Sequence, residues 1–489
     1  MQIIFINPSF KSKYGKFSRE SRSPAITKSG ALYYPLWLIY AAAWCEKCGH
    51  RIGFIDATAF PLSEEETFSK INELAEKTEK IMFVLDTSTP SIKSDIEFGA
   101  KLKDKFIDSF VVLVGTHPSA VPEETLKFNT KIDAVAIGEF DHTVEKLASA
   151  LESGCSLENV NGIMFRKADG SLYRTPSAEY ITDLDSIPYA SQFIKKYLNE
   201  KQYFFPAAVY PEIQIFTGRG CPCRCNFCVY PQTMHGHKYR ARTPENVVGE
   251  FEYISENFEA VKEVVIEDDT FTADKNRVKE ICNLLISKKL NKKLRWLCNA
   301  RVNTLDLETM KLMKKAGCRL IIPGIESGNQ QILNNIKKGT KVEQFYSYTK
   351  NAKKAGLKIH ACYMVGNEGE TKETMQETLK LALKLNTDTA QFFPLIPYPG
   401  TEAYDWAVRN KFITVNYEEY VNEDGTHSTV LNENGLSSDE MVDFCNYARK
   451  KYYLRPRYIM HRIISGLTDF EDLKRSLKAF GKLKDYLFK

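Results

Sequence analysis

The sequence predicts an α/β protein built from two successive parallel-sheet domains, and three observations carry that expectation. Short, wholly apolar runs recur along most of the chain, amphipathic stretches separate them, and many of the runs end in small, polar, Gly/Pro-rich segments. Strands buried on both faces read as continuous apolar runs, and intervening helices supply the crossovers that a parallel sheet needs. At 489 residues the chain exceeds one ordinary core and suits two or three domains. A composition of 43% apolar and 26% charged residues is that of a globular, enzyme-sized protein. The net charge of +5, spread over 67 basic and 62 acidic residues, gives no argument for a nucleic-acid partner.

Residues 1–154 contain strand candidates at 3–7, 52–56, 81–86, 111–115 and 133–138, with helical patterns at 35–48, 64–78, 92–106 and 142–152. This is the pattern of a doubly wound, Rossmann/flavodoxin-like domain, whose ligands lie beyond the carboxyl ends of the strands. Those ends read "DTSTPS" (86–91), "GTHPSA" (115–120) and "GEFDH" (138–142), and no G-x-G-x-x-G follows the first strand. The opening "MQIIFINPSF" enters a strand without a basic leader or cleavage site, and "YYPLWLIYAAAW" (33–44) is too short to span a bilayer. A cytoplasmic protein is expected. Its twelve cysteines, mostly isolated, then read as free thiols plus one specialised site.

Residues 155–211 form a connector with a hairpin signal at Asp169-Gly170. From 212 to 410 a second series offers strands at 213–218, 263–268, 294–300, 318–326, 358–366 and 390–398, which predicts a partial (β/α)6 barrel with its chemistry at the strand ends. The helix after the first strand opens with Thr243 as N-cap and Pro244 at its first position, and Val247, Phe251, Ile254 and Phe258 share one face. Residues 411–489 are a mainly helical C-terminal extension. Its tail carries an apolar stripe, Leu473, Leu477, Phe480, Leu483 and Leu487, among lysines, which fits docking on the protein's own core or, as a second reading, contact with a membrane surface.

The densest chemical signal is "GCPCRCNFCVYPQ" (220–232), just past the first barrel strand. Cys221, Cys225 and Cys228 are spaced C-x3-C-x2-C. Zinc normally takes four protein ligands in two close pairs, and no second pair follows; a disulfide uses only two of the thiols. Three thiolates can instead bind three irons of a [4Fe-4S] cluster and leave the fourth iron open. Cys223 is expected to point away. Cys45 and Cys48 form a C-x2-C with no partner pair and read as structural. A zinc-stabilised, non-catalytic binding protein stands as the rival from another class.

These residues resemble the radical SAM superfamily, whose signature C-x3-C-x-aromatic-C has Phe227 as its aromatic. The resemblance extends through "EVVIEDDTF", "NARVNTLDLETMKLMKKAGC", "IIPGIESGNQQILNNIKKG", "MVGNEGET" and "PLIPYPGT", covering about residues 210–410. It implies that the open iron binds S-adenosylmethionine, which one electron cleaves to methionine and a 5'-deoxyadenosyl radical. By position it implies Glu267 and Asp268 near the methionine amine, Arg301 at its carboxylate, and Glu326 and Ser327 on the ribose side; no residue is assigned to the hydrogen abstraction. In the first domain "GTHPSAVPEETL" and "AIGEFDHTVEKL" resemble the B12-binding class of the superfamily, and "YPQTMHGHKYRARTPENVV" and "YYLRPRYIMHRII" resemble its anaerobic ring-cyclase and hopanoid-modifying members. One departure is the absence of D-x-H-x-x-G, which supplies a lower axial histidine to cobalt in other B12 modules. Cobalamin is therefore expected to rest on Thr87, Ser88, Thr89, Gly115, Thr116, Gly138 and Glu139, with His117 near the corrin. The activity implied is cobalamin-dependent C-methylation, with radical cyclisation or skeletal rearrangement of a lipid or isoprenoid as the alternative. Implied partners are a small-molecule or lipid-like substrate and a low-potential donor such as flavodoxin or ferredoxin.

Overall fold

A computed structural model of the chain describes residues 1–75, 80–413, 415–432 and 435–468. The apolar tail stripe from Leu473 to Leu487 lies outside the described residues.

The first sheet has seven strands: β1 (Gln2–Asn7), β2 (Arg51–Asp56), β3 (Ile81–Thr87), β4 (Phe110–Gly115), β5 (Ala134–Ala136), β6 (Ile163–Arg166) and β7 (Leu172–Arg174), in spatial order β2-β1-β3-β4-β5-β6-β7. The first five are parallel, in the flavodoxin-like order. Alternation along β1 shows why the runs are continuously apolar. Ile3 and Phe5 pack with the helices Leu36–Lys47 and Asp141–Ser153, whereas Ile4 and Ile6 pack on the opposite face with Ile92 and Ile96. The hairpin expected within a connector is instead built onto this sheet: β6 pairs antiparallel with β5, and β7 with β6. A short β5 with a free edge explains this, because the hairpin covers backbone groups that would otherwise remain open.

The second sheet contains β8 (Glu212–Ile215), β9 (Glu263–Ile266), β10 (Arg295–Ala300), β11 (Cys318–Glu326), β12 (Lys358–Val365) and β13 (Thr389–Pro394), in that order and all parallel. It is a barrel left open between β8 and β13. Thr243 caps the helix Pro244–Asn257 by accepting from the Asn246 amide, as its sequence predicts. The C-terminal helix Ser438–Tyr453 covers the β13 edge, where the Tyr453 hydroxyl accepts from the Ala390 amide and donates to its carbonyl.

The helix Leu36–Lys47 is buried nearly all round because it lies between the domains. Its Tyr40 hydroxyl donates to the Phe216 carbonyl, and Trp37 meets Tyr230 edge-on. Ahead of it, residues 8–35 form a strap: Arg19 pairs with buried Asp95, Glu20 accepts from the Trp37 and Leu38 amides, and Tyr33 packs with Phe205 and Ile322 in the barrel lumen. Among the described residues no helix is long and apolar enough to cross a membrane.

Candidate active site

The carboxyl edges of the two sheets meet. Beyond β8 the strand pair Gly218–Arg219 and Arg240–Ala241 projects toward the first domain. There Arg219 donates to Glu139 at 2.5 Å and to both Asp141 oxygens at 2.8 and 2.9 Å, and Arg240 donates to Glu139 at 2.8 Å. All four side chains are buried. Gly138 stands against the carbonyls of Thr233 and Met234, so the cysteine loop and the first domain's ligand edge form one interface.

Within that loop Gly220 has a φ of +84°, and a Cβ there would run into the Lys238 carbonyl. Its amide donates to Asp269 at 3.0 Å, and Asp269 also holds His235 at 3.0 Å. The Gln232 amide donates to the carbonyls of Asn226 and Cys228 at 3.1 and 2.9 Å, and His237 Nδ1 reaches those of Cys221 and Cys223 at 3.2 and 2.9 Å. The loop's backbone is therefore satisfied from residues 232–237, which leaves the thiols to bind something else. Cys221 lies 3.3 Å from the Thr270 hydroxyl; hydrogen bonding from Cys223, with help from Thr270, lowers its pKa to about 6. Contact with Cys221 and burial push Cys223 up in turn. Cys223 thus folds back against Cys221 rather than pointing away, because His237 gathers both carbonyls to one side. Burial, and then Asp269, raise Cys228. Among the described residues no three His, Cys, Asp or Glu side chains converge on one point, as a single zinc ion would require. Three thiols on one loop suit a multi-iron cluster.

Around the loop stand Glu267, Arg301, Glu326 and Phe227. The Glu267 carboxylate lies 3.4 Å from Arg22 Nη1, from the strap, and 3.4 Å from Asn299 Nδ2; burial raises its pKa against these partners. Arg301 places Nη1 3.9 Å from Cys225 Sγ. Glu326 ends β11 at a φ of +64° and pairs with Lys338 at 2.7 Å; the Lys338 ammonium lies 5.9 Å from the centre of the Phe227 ring. The side chains of Asp268 and Ser327 turn elsewhere, although the Asp268 carbonyl accepts from Arg22 and Asn299 beside Glu267 at 3.4 and 3.2 Å. Asp268 accepts from the Thr217 amide and hydroxyl at 2.6 Å each, and Ser327 accepts from the Asn329 amide at 3.1 Å beside Thr378. Neighbouring residues at a strand end cannot both face the lumen, so each pair divides. Cys45 is buried and Cys48 exposed, and among the described residues they belong to no group of three side chains that could hold a metal ion.

On the first sheet's edge the Thr87 hydroxyl donates to the Val114 carbonyl at 2.7 Å, Ser88 meets Ser91 at 2.9 Å, and Gly115 lies against the Thr87 carbonyl. Thr116 opens the short helix Thr116–Ala120, and Thr89 Oγ1 lies 3.2 Å from His117 Nδ1. Glu139, expected to contact cobalamin, is committed to the two arginines, because a buried carboxylate must be matched by charge. His117 is fully buried, its pKa lowered to about 3 by desolvation; its Nε2 has no hydrogen-bond partner, and its ring meets Tyr417 edge-on at 4.8 Å. Asp86 Oδ2 at the end of β3 is likewise buried without a partner, and burial raises that acid to about 7. Two orphaned polar atoms at the ligand edge fit a polar cofactor that supplies their missing bonds.

Sequence reasoning missed Arg22, Asn299, Lys338, Asp269, Gln232, His235 and His237. The last three lie in "YPQTMHGHKYRAR", which was legible as a family mark but not as the frame of the loop.

The radical SAM superfamily model matches residues 215–382, and the B12 binding domain model matches residues 22–148. The chain is 32% identical over 431 residues to an uncharacterized methyltransferase of Pyrococcus horikoshii, across 88% of this chain and 90% of the relative. It is 26% identical over 488 residues to the anaerobic magnesium-protoporphyrin IX monomethyl ester cyclase of Rubrivivax gelatinosus, across 99% of this chain and 82% of that one. Its fold matches the radical S-adenosylmethionine methyltransferase TsrM of Kitasatospora setae with a TM-score of 0.65 at 16% identity, over 87% of this chain and 84% of that chain.

Proposed function

The chain belongs to the radical SAM superfamily, in the branch with an N-terminal B12-binding domain, and we propose that it methylates an unactivated carbon of a small molecule. The observation that carries this reading is the buried clamp of Arg219 and Arg240 on Glu139 and Asp141, which sets the thiol loop against the first domain's ligand edge. Two cofactors that act on one substrate need such an arrangement. When bound, a [4Fe-4S] cluster supplies the electron that cleaves S-adenosylmethionine, and cobalamin supplies the methyl group.

The protein's own part is to hold and orient them. Cys221, Cys225 and Cys228 would hold the cluster; Glu267, Arg301 and Glu326 would hold S-adenosylmethionine; the edge from Asp86 to Thr89, with Gly115 to His117, would hold cobalamin. The Glu267 carboxylate has acceptor capacity for an ammonium, and Arg301 donates to carboxylates or to sulfur. Neutral His117 keeps one ring nitrogen for a ligand while Thr89 fixes the other. Tyr33 and the segment carrying Phe205 to Ala208 pack with Val265, Leu297 and Leu320 to form the lumen's apolar base. The reaction needs an electron donor; a flavodoxin or ferredoxin is the class proposed. The basic apolar tail remains a candidate membrane contact.

Anaerobic reconstitution should give about four irons and four sulfides per chain and 5'-deoxyadenosine from S-adenosylmethionine. A ring-forming reaction is the second reading, favoured by likeness to the named cyclase over 99% of the chain. S-adenosylmethionine with a deuterated methyl group separates the two: label in the product supports methylation, and a dehydrogenated or cyclised product without label supports the other.

A further inference from the structure

Lys338 and Glu326 are both buried, at 7% and 5% exposure. Their 2.7 Å pair costs desolvation and requires two local sacrifices. Glu326 adopts a φ of +64°, which an ordinary side chain avoids, and a Cβ at position 324 would push the Glu326 carboxylate and the Lys338 ammonium out of their present places. Strain of this kind marks a site rather than a scaffold.

The pair also has a direction. Its carboxylate lies over Gly324, whose register partner on β12 is Cys362. Its ammonium lies 5.9 Å from the centre of the Phe227 ring, two residues from Cys225 and one from Cys228. Arg301 approaches from the same quarter: its Nη1 is 3.9 Å from Cys225 Sγ, and Gly339, next to Lys338, faces its other terminal nitrogen. Cys221 meets a threonine hydroxyl, and Cys228 meets the Asp269 carboxylate more strongly than the Arg22 cation. Arg301 and Lys338 thus gather on the Cys225 side, while the cation acting on Cys228 is Arg22 of the strap.

We infer that Lys338 is a positioning residue whose charge, held by Glu326 with its positive end toward Cys225 and Phe227, makes the cluster easier to reduce. This rests on the cluster assignment proposed above. The physical basis is that one-electron reduction adds a negative charge to a buried group, and a fixed cation stabilises the more negative state; net charge and hydrogen bonds near the sulfurs set such potentials. The electron comes from the external donor, and no bond in the pair is broken.

The test is an EPR-monitored reductive titration of reconstituted full-length protein with dithionite and low-potential mediators, without S-adenosylmethionine. Lys338→Met should make the midpoint more negative. Glu326→Gln, which leaves the cation unbalanced, should make it less negative. Opposite signs are the signature, since packing damage would move both variants in one direction. Equal midpoints in all three proteins, or shifts of the same sign, overturn the inference, and Glu326→Gln decides alone if Lys338→Met does not fold. Failure of the parent to assemble about four irons is a separate outcome that defeats the cluster assignment itself.

Discussion

At the scale of residues, the three thiols of the loop differ in their surroundings and should differ on removal. Cys225→Ala should abolish cluster assembly, read as loss of iron and sulfide, because it removes one of the three ligands of the C-x3-C-x2-C loop. Cys223→Ala should keep the full complement, since Cys221, Cys225 and Cys228 remain. His117 gives a prediction that needs no cofactor. Burial lowers its pKa to about 3, below an ordinary histidine near 6.5, so between these values the unfolded chain binds more protons. Its contribution to stability is present above about pH 6.5 and is lost as pH falls toward 3. Relative to His117→Gln, the parent should lose about 2 kcal/mol between pH 8 and pH 5 in denaturant titrations. The cysteines were legible because their spacing is local. Asp268 and Ser327 were misplaced because motif position says nothing about which of two adjacent side chains faces the lumen. Lys338 was invisible because it pairs with a residue twelve positions away, across the short helix Gln330–Asn335.

At the scale of elements, the loop from Gly218 to Ala241 is held by buried charge as well as by apolar packing of Val229, Tyr230 and Met234. Asp141→Asn weakens the clamp on a guanidinium that stays buried, and such a loss costs about 3–5 kcal/mol. Hydrogen exchange should then quicken in residues 218–241 and 137–141 before the rest of either sheet. Asp104→Asn, at the exposed Lys131 pair, should cost under about 1 kcal/mol and serves as the control. The strands and helices themselves were readable, since continuous apolar runs and caps such as Thr243 are local signals. Two placements were not. The hairpin of β6 and β7 has a clear turn, yet nothing local shows that it extends the first sheet. The helix Leu36–Lys47 reads as apolar, yet only the assembled molecule shows that it fills an interface.

At the scale of the whole molecule, the barrel is completed by parts of the chain outside it. The strap of residues 8–35 enters from the amino end, with Tyr33 in the lumen and Arg22 at Glu267, and the extension covers β13. Neither was legible, because both depend on contacts between distant segments, 245 residues apart for Arg22 and Glu267 and 63 for Tyr453 and Ala390. Arg22→Gln should therefore disturb the barrel site from the first domain: S-adenosylmethionine should bind several-fold more weakly by equilibrium titration, while iron content stays unchanged.

The central claim is that one interface carries both a three-thiolate cluster and a cobalamin. It is tested most directly by reconstituting the protein anaerobically with iron, sulfide and hydroxocobalamin, separating unbound material by gel filtration, and assaying the protein peak. The account expects about four irons, about four sulfides and about one corrin per chain, and 5'-deoxyadenosine once S-adenosylmethionine and a reductant are added. Zinc in place of iron, with no corrin retained and no cleavage, would contradict it.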